Sequence, residues 1–169
     1  MKIKRLFLLT LVFLPLAMMA QMKIATVNVQ AIFNDMPEAK AASEILDNAS
    51  KQYEAEYKTM QEDFNGKYAA YQALAGNSNT PSTIIERRVR DIQDSNREIE
   101  AFLDNSQAEL LKMKNDLEAP IYAKINDAIK KVGDKGGYTY IIDISTTPVV
   151  YMGPAAIDVT ADVRKMLGM

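Results

Sequence analysis

The 169-residue sequence contains no cysteine, no histidine and no tryptophan. Without cysteine there can be no disulfide, no thiol nucleophile and no attachment point for the lipid of a lipoprotein. Without histidine the commonest general base is missing, and with both residue types absent so are the commonest zinc ligands. Glycine is scarce, and Gly133, Gly136 and Gly137 do not form a phosphate loop; Gly136-Gly137 reads as punctuation ahead of a strand. Carboxylates are abundant but scattered as helix-surface charges, with no pair at strand ends. An enzyme is therefore not expected: no catalytic residue, no metal ligand set and no cofactor site is predicted.

Long apolar runs are also missing, except at the start. Met1 to Arg5 is a basic head, Leu6 to Leu16 is an apolar run, and Ala17-Met18-Met19-Ala20 brings small residues ahead of Gln21. Residues 1–20 read as a secretory signal peptide, whose apolar run is too short to span a bilayer. The mature chain is expected to be soluble outside the cytoplasm. Positive charge is in deficit. The full chain has 20 basic and 22 acidic residues, and loss of Lys2, Lys4 and Arg5 with the signal moves the net charge from −2 to −5. Phosphate binding needs a positive stripe, so no nucleic-acid partner is expected. One basic cluster, Glu86-Arg87-Arg88-Val89-Arg90, reads either as a solvated helix face or as a patch for an acidic client or anionic lipid; the latter would allow transient contact with a membrane surface.

What the chain does have is a long, mostly polar stretch with a single apolar seam. The seam is interrupted at Gly76-Asn77-Ser78-Asn79-Thr80-Pro81, which predicts two long helices folded back on each other. On the outgoing helix Leu46, Ala49, Tyr53, Tyr57, Met60, Phe64, Tyr68, Tyr71 and Ala75 follow strides of three, four and four, an eleven-residue period. On the returning helix Ile85, Val89, Ile92, Ile99, Leu103, Leu110, Met113 and Leu117 fit a heptad, with Asn96 and Ser106 in two of its slots. The two helices therefore should not share one supercoil, and an irregular, open hairpin is expected. Asp35 is the predicted cap ahead of Pro37, and Thr80-Pro81 or Thr83-Glu86 the start of the returning helix. The outgoing seam is rich in Tyr and Ala where a tight zipper would use Leu and Ile. Tyr53, Tyr57, Met60, Phe64, Tyr68 and Tyr71 are candidate client-binding residues, forming an adaptable amphipathic surface; ordinary helix packing is the competing reading.

The chain ends predict a small body. Lys23–Val29 reads as a strand followed by a helical turn at Ala31-Ile32-Phe33. Pro120 should open or kink a helix carrying Ile121, Ile125, Ile129 and Val132, stopping at Gly133 and Gly136-Gly137. Strands are expected at Tyr138–Ile144 and Val149–Met152, then a last helix capped by Asp158. Three short strands leave open edges, which invite association with other copies. Ile24, Val27, Val29, Ile141, Ile142, Val149 and Tyr151 are the candidate oligomerisation residues. The predicted fold is α+β: a long antiparallel helical hairpin, a coiled-coil-like arm, projecting from a small β-barrel-forming oligomerisation body. Residues 21–36 and 120–169 would form the body and residues 37–119 the arm, with its tip near 76–82.

These blocks resemble the Skp/OmpH family of periplasmic chaperones. The similarity lies in Lys23-Ile24-Ala25-Thr26-Val27-Asn28-Val29 with Ile32-Phe33, in Tyr140-Ile141-Ile142-Asp143, in Val149-Val150-Tyr151, and most specifically in Asp158-Val159-Thr160-Ala161-Asp162-Val163. The resemblance implies a periplasmic homotrimer with a small β-barrel body and helical arms around a cavity. It also implies ATP-independent holding of unfolded outer-membrane proteins there, without cofactor or covalent chemistry. Charge departs from the pattern of the best-known members, which are basic: both arms here are net acidic, so no lipopolysaccharide site is carried over. The alternatives are a structural coiled-coil spacer and a dedicated adaptor of the cell envelope.

Overall fold

The structure, a computed structural model, describes residues 22–169, so the signal-peptide reading of residues 1–20 lies outside the described residues. In chain order the elements are β1 (Ile24–Val27), α1 (Val29–Asp35), α2 (Pro37–Ala75), α3 (Ser82–Gly136), β2 (Tyr140–Asp143), β3 (Ile157–Asp158) and α4 (Thr160–Leu167). The chain divides into two compact units: one runs to Val29 and resumes at Ala128–Gly168, and the other is Gln30–Asp127.

The unit Gln30–Asp127 is built on α2 and α3. Pro37 occupies the first turn of α2, where its missing N–H would be unpaired anyway. The N-cap position of α2 is not the predicted Asp35. Asp35 ends α1, and the N-cap is Met36, whose carbonyl accepts from Ala39 N (3.1 Å) and Lys40 N (3.3 Å). Proline at the first position and these backbone bonds leave a side-chain cap little to add. The two helices are joined across Gly76–Pro81, where Thr80 Oγ1 donates to Leu74 O (3.0 Å) and Asn79 N donates to Asn77 Oδ1 (3.0 Å).

Pro120 does not open a new helix, because α3 passes straight through it. An interior proline costs about 3 kcal/mol through its lost hydrogen bond and ring clash. The residues that follow offset this: Ile121 and Ile125 are 4% and 0% exposed, and burying such side chains contributes about 1.5–3 kcal/mol each. The predicted stop at Gly133 is also overrun. A Cβ at Gly133 would sit 3.5 Å from Ile141 Cδ1, an ordinary contact, so the glycine is accommodated in the helix. The chain leaves α3 at Gly137, whose φ of 64° suits glycine.

The smaller unit holds a three-stranded parallel sheet in the order β2-β1-β3, with Ile24 opposite Tyr140, Val27 opposite Asp143, and Thr26 opposite Asp158. Its core is Ala25, Val27, Ala128, Val132, Val159 and Val163. The expected strand at Val149–Met152 does not form; the third strand is Ile157–Asp158 instead. Val150 is fully exposed and Tyr151 is 80% exposed. A strand needs a partner ladder, and within this chain β1 is already paired on both sides. The sheet is open, with β2 and β3 as free edges.

Against the expectation from sequence, two carboxylates do stand at strand ends, and they tie the chain down just after β1. Asp143 Oδ1 accepts from Val29 N (3.2 Å), Ser145 N (2.9 Å) and Ser145 Oγ (2.7 Å), while its Oδ2 accepts from Thr146 Oγ1 (3.2 Å). The N-cap of α4 is Val159 rather than the predicted Asp158; Asp158 Oδ1, one residue earlier, accepts from Thr160 N (2.8 Å) and from Thr160 Oγ1 (2.6 Å). The Thr160 hydroxyl oxygen in turn accepts from Asn28 N (3.0 Å).

Candidate functional site

The eleven-residue spacing of α2 places its apolar residues on one stripe. Leu46, Tyr53, Tyr57, Met60, Phe64 and Tyr71 are half-buried, and Tyr68 is 46% exposed. The six candidate client-binding residues therefore do share a face, although all but Tyr68 are half-buried. Tyr53 meets Phe102 edge-on at 5.9 Å, and its hydroxyl donates to the Glu109 carboxylate. That hydrogen bond to an anion holds the Tyr53 phenol above its ordinary range, aided by desolvation. The Tyr57 hydroxyl oxygen accepts from Gln61 Nε2 (2.7 Å). Nearer the tip, Phe64 stacks on Tyr68 at 6.5 Å and Tyr68 leans on Tyr71 at 6.3 Å. Tyr68 offers the most open ring of this ladder.

The returning helix departs from the predicted heptad. Asn96 is exposed and its slot is taken by Ser95, only 3% exposed; Ser106 is buried as expected, and Phe102 joins the stripe. From Arg88 the inward positions run 92, 95, 99, 102, 106, 110, 113, 117, 121, 125, 128 and 132. Their strides average close to the eleven-residue period of α2, so the two buried stripes match in repeat after all. Phe102 beside Leu103 was the visible signal. An apolar residue one step ahead of a heptad slot marks a change of stride.

Small side chains at these slots leave the seam incompletely filled. A groove of about 430 Å³ is lined by Tyr53, Tyr57, Phe102, Leu103, Ser106 and Leu110 among others. A second, of about 370 Å³, lies over Phe64, Ile92 and Asn96. A third, of about 360 Å³, opens near the start of α2 between Phe33, Ala42, Leu46 and Glu118. There, Phe33 stacks on Tyr122 at 4.8 Å and Lys124 donates to Glu38 (2.9 Å), which holds the Glu38 carboxyl below its usual range.

The basic cluster does not form one patch. Arg88 turns toward the seam and pairs with Asp91 at 3.3 Å, whereas Arg87 and Arg90 are exposed. Lys67 is held above its ordinary range by its bond to Asp63, with Glu98 and Asp91 adding to the negative field.

The candidate oligomerisation residues fall into distinct environments. Val27 is buried in the chain's own core, and Val29 opens α1 rather than extending the strand. Ile24, Ile142, Val149 and Tyr151 are exposed, and Ile141 is half-buried against Gly133.

Among the described residues no group of three or more His, Cys, Asp or Glu could hold a metal, and no helix is long and apolar enough to cross a membrane. Shallow, amphipathic grooves along a helical hairpin suit the contact of side chains rather than bond-making chemistry. The class defined by this fold is a helical-hairpin protein with a small parallel sheet and a soft aromatic seam. The chain belongs to the OmpH-like outer membrane protein family, whose pattern matches residues 23–167. Among curated relatives, the chaperone protein Skp of Yersinia enterocolitica is 31% identical over 147 residues, covering 86% of this chain and 85% of that protein. The chaperone protein Skp of Pectobacterium atrosepticum is 28% identical over 145 residues, with the same two shares. A crystal structure of an OmpH-like protein from Caulobacter crescentus CB15 superposes with a TM-score of 0.69 at 17% identity, over 85% of this chain and 82% of that one. That likeness supports the fold. The relatives' names are those of chaperones, not of enzymes.

Proposed function

We propose that this protein is a periplasmic, ATP-independent holdase that keeps unfolded outer-membrane proteins from aggregating. The observation that carries the reading is the half-buried aromatic seam of α2 and α3. It offers many weak amphipathic contacts along open grooves, which suits a mobile client that must later be released. The chaperone names of the relatives support the same reading.

In this proposal residues 1–20 are the signal peptide, residues 37–119 form the arm, and residues 21–36 with 120–169 form the oligomerisation body. The functional particle is a homotrimer in which the open sheet edges of three copies close into a small barrel, and the client is held between the arms. Ile24, Val27, Val29, Ile141, Ile142, Val149 and Tyr151 support assembly, and Tyr53, Tyr57, Met60, Phe64, Tyr68 and Tyr71 support the grip. The exposed run Val149–Met152 and the two free edges favour such assembly.

The test is dilution of a urea-denatured outer-membrane β-barrel protein into buffer with and without the mature protein, with the complex weighed by light scattering. Suppressed aggregation and a mass of one client with three copies is the expected result. Replacing Tyr57 and Tyr68 together with Ser should weaken client binding about tenfold while leaving the oligomer's mass unchanged. Undiminished holding by that variant would reduce the rings to packing. A folded oligomer that fails to suppress aggregation would point to a spacer or an adaptor.

A further inference from the structure

The eleven-residue repeat places the three grooves at regular intervals. Ala42, Tyr53 and Phe64 line successive grooves and are eleven residues apart; so are their counterparts Glu118, Gln107 and Asn96 on α3. Eleven residues at 1.5 Å each separate neighbouring grooves by about 16 Å.

The grooves also open on one side of the hairpin. In an antiparallel pair of right-handed helices, the residue one step after a seam position lies on the same side of the pair in both helices. Ser43 and Glu118 stand in that relation to the first groove, Ser50, Leu103 and Gln107 to the second, and Gln93 and Asn96 to the third. The two sides of α3 differ in chemistry. Positions preceding the seam carry Asp91, Asp94, Glu98, Glu109 and Asp116 beside Ala101, Asn105 and Lys112; positions following it carry Gln93, Asn96, Leu103, Gln107 and Leu111 beside Glu100, Lys114 and Glu118. Leu103 and Leu111 are 42% and 61% exposed, so this side of α3 presents apolar and amide groups with fewer carboxylates than the other.

We propose that an unfolded client lies extended along this grooved side of the hairpin, setting one large apolar side chain into each groove. The inference rests on the holdase reading and specifies which surface of the arm takes the chain. An extended backbone advances about 3.3 Å per residue, so the distance between neighbouring grooves corresponds to about five client residues, and a step of about four or six keeps successive side chains on the same face. Each groove has room for one large side chain. The amide of Asn96, whose nitrogen also donates to Glu100 (2.7 Å), and those of Gln93 and Gln107 can both donate to and accept from peptide groups. Those groups are unpaired in an extended chain and already satisfied in a helix, which makes an unfolded segment the matching occupant. The other side carries more carboxylates, which only accept, and it repels acidic clients more strongly.

Because the natural chain has no cysteine, single-cysteine variants carrying a benzophenone maleimide can report on each side. Asn96→Cys and Gln107→Cys probe the grooved side, and Glu98→Cys and Asn105→Cys the carboxylate side; all four positions are exposed. Each labelled protein is first checked for suppression of aggregation of a urea-denatured outer-membrane β-barrel protein, then irradiated with it. The expected result is several-fold more crosslinked client from positions 96 and 107 than from 98 and 105. In the same assay Leu111→Asp should weaken client binding about tenfold, with unchanged far-UV circular dichroism. Equal or reversed crosslinking with suppression intact overturns this inference and leaves the holdase reading standing. So does capture of a second copy of the chain in place of the client. Absence of suppression by all four labelled proteins, and by the unlabelled parent, overturns both.

Discussion

At the residue scale the most informative side chain is Asp143. Burial pushes its carboxyl upward, but hydrogen bonds from Ser145, Val29 and Thr146 outweigh that and leave it below its ordinary range. A carboxylate with a depressed folded value contributes stability above its unfolded value, about 3.9, and loses it as pH falls through the folded value. Asp143→Asn should therefore cost about 1–3 kcal/mol near neutrality. In urea melts the gap from the parent protein should close as the pH is lowered through the folded value of Asp143. A gap that stayed constant with pH would mean that the charge of Asp143 does not matter.

Gly137 makes a second residue-scale case. Its φ of 64° lies where a Cβ is strained, so Gly137→Ala should lower stability by about 1 kcal/mol. Gly136 is constrained differently, because a Cβ there would collide with the Tyr138 ring. Lys23 fastens the same corner, donating to Gly136 O (2.7 Å) with its ammonium 4.3 Å from the centre of the Tyr138 ring.

At the element scale the hairpin is long but loosely filled. Ser95 and Ser106 are buried where a tight coiled coil would carry Leu or Ile, and Ser106 Oγ turns back to Leu103 O (3.0 Å). Such back-bonding satisfies the hydroxyl without adding to the packing between helices. Ser106→Ala should raise stability by about 0.5 kcal/mol through helix propensity, read as a small rise in the thermal midpoint. A fall would show that the hydroxyl supports the seam. Loose filling and exposed grooves arise together. Side chains too small to close the gap between α2 and α3 leave the hollows beside Tyr53 and Phe64 that could receive a client's side chains.

At the scale of the whole molecule, buried and exposed members of the assembly set should separate folding from association. Val27→Asp places a charge in the core of the smaller unit and should unfold that unit, abolishing its cooperative transition. Tyr151→Asp changes a side chain 80% exposed in the single chain. It should leave circular dichroism intact while lowering the mass by light scattering toward the monomer. An unchanged mass would remove the Val149–Met152 run from the interface.

The periodicity of the sequence was enough to determine both long helices and the break near Gly76–Pro81, because polar stretches with one apolar stripe admit few other arrangements. It also marked β1, β2 and the last helix with its Asp158 contact, where local residue preference and tertiary packing agree. The tertiary structure decided the rest, wherever distant partners outweigh local signals. Burial of Ile121 and Ile125 carries α3 through Pro120, and β1 draws Ile157–Asp158 rather than Val149–Met152 to its free edge. The seam takes Ser95 over Asn96 because the stripe on α3 must keep pace with α2. The side of the hairpin that carries the grooves likewise emerges only when the two helices are set together, since each groove is made from both.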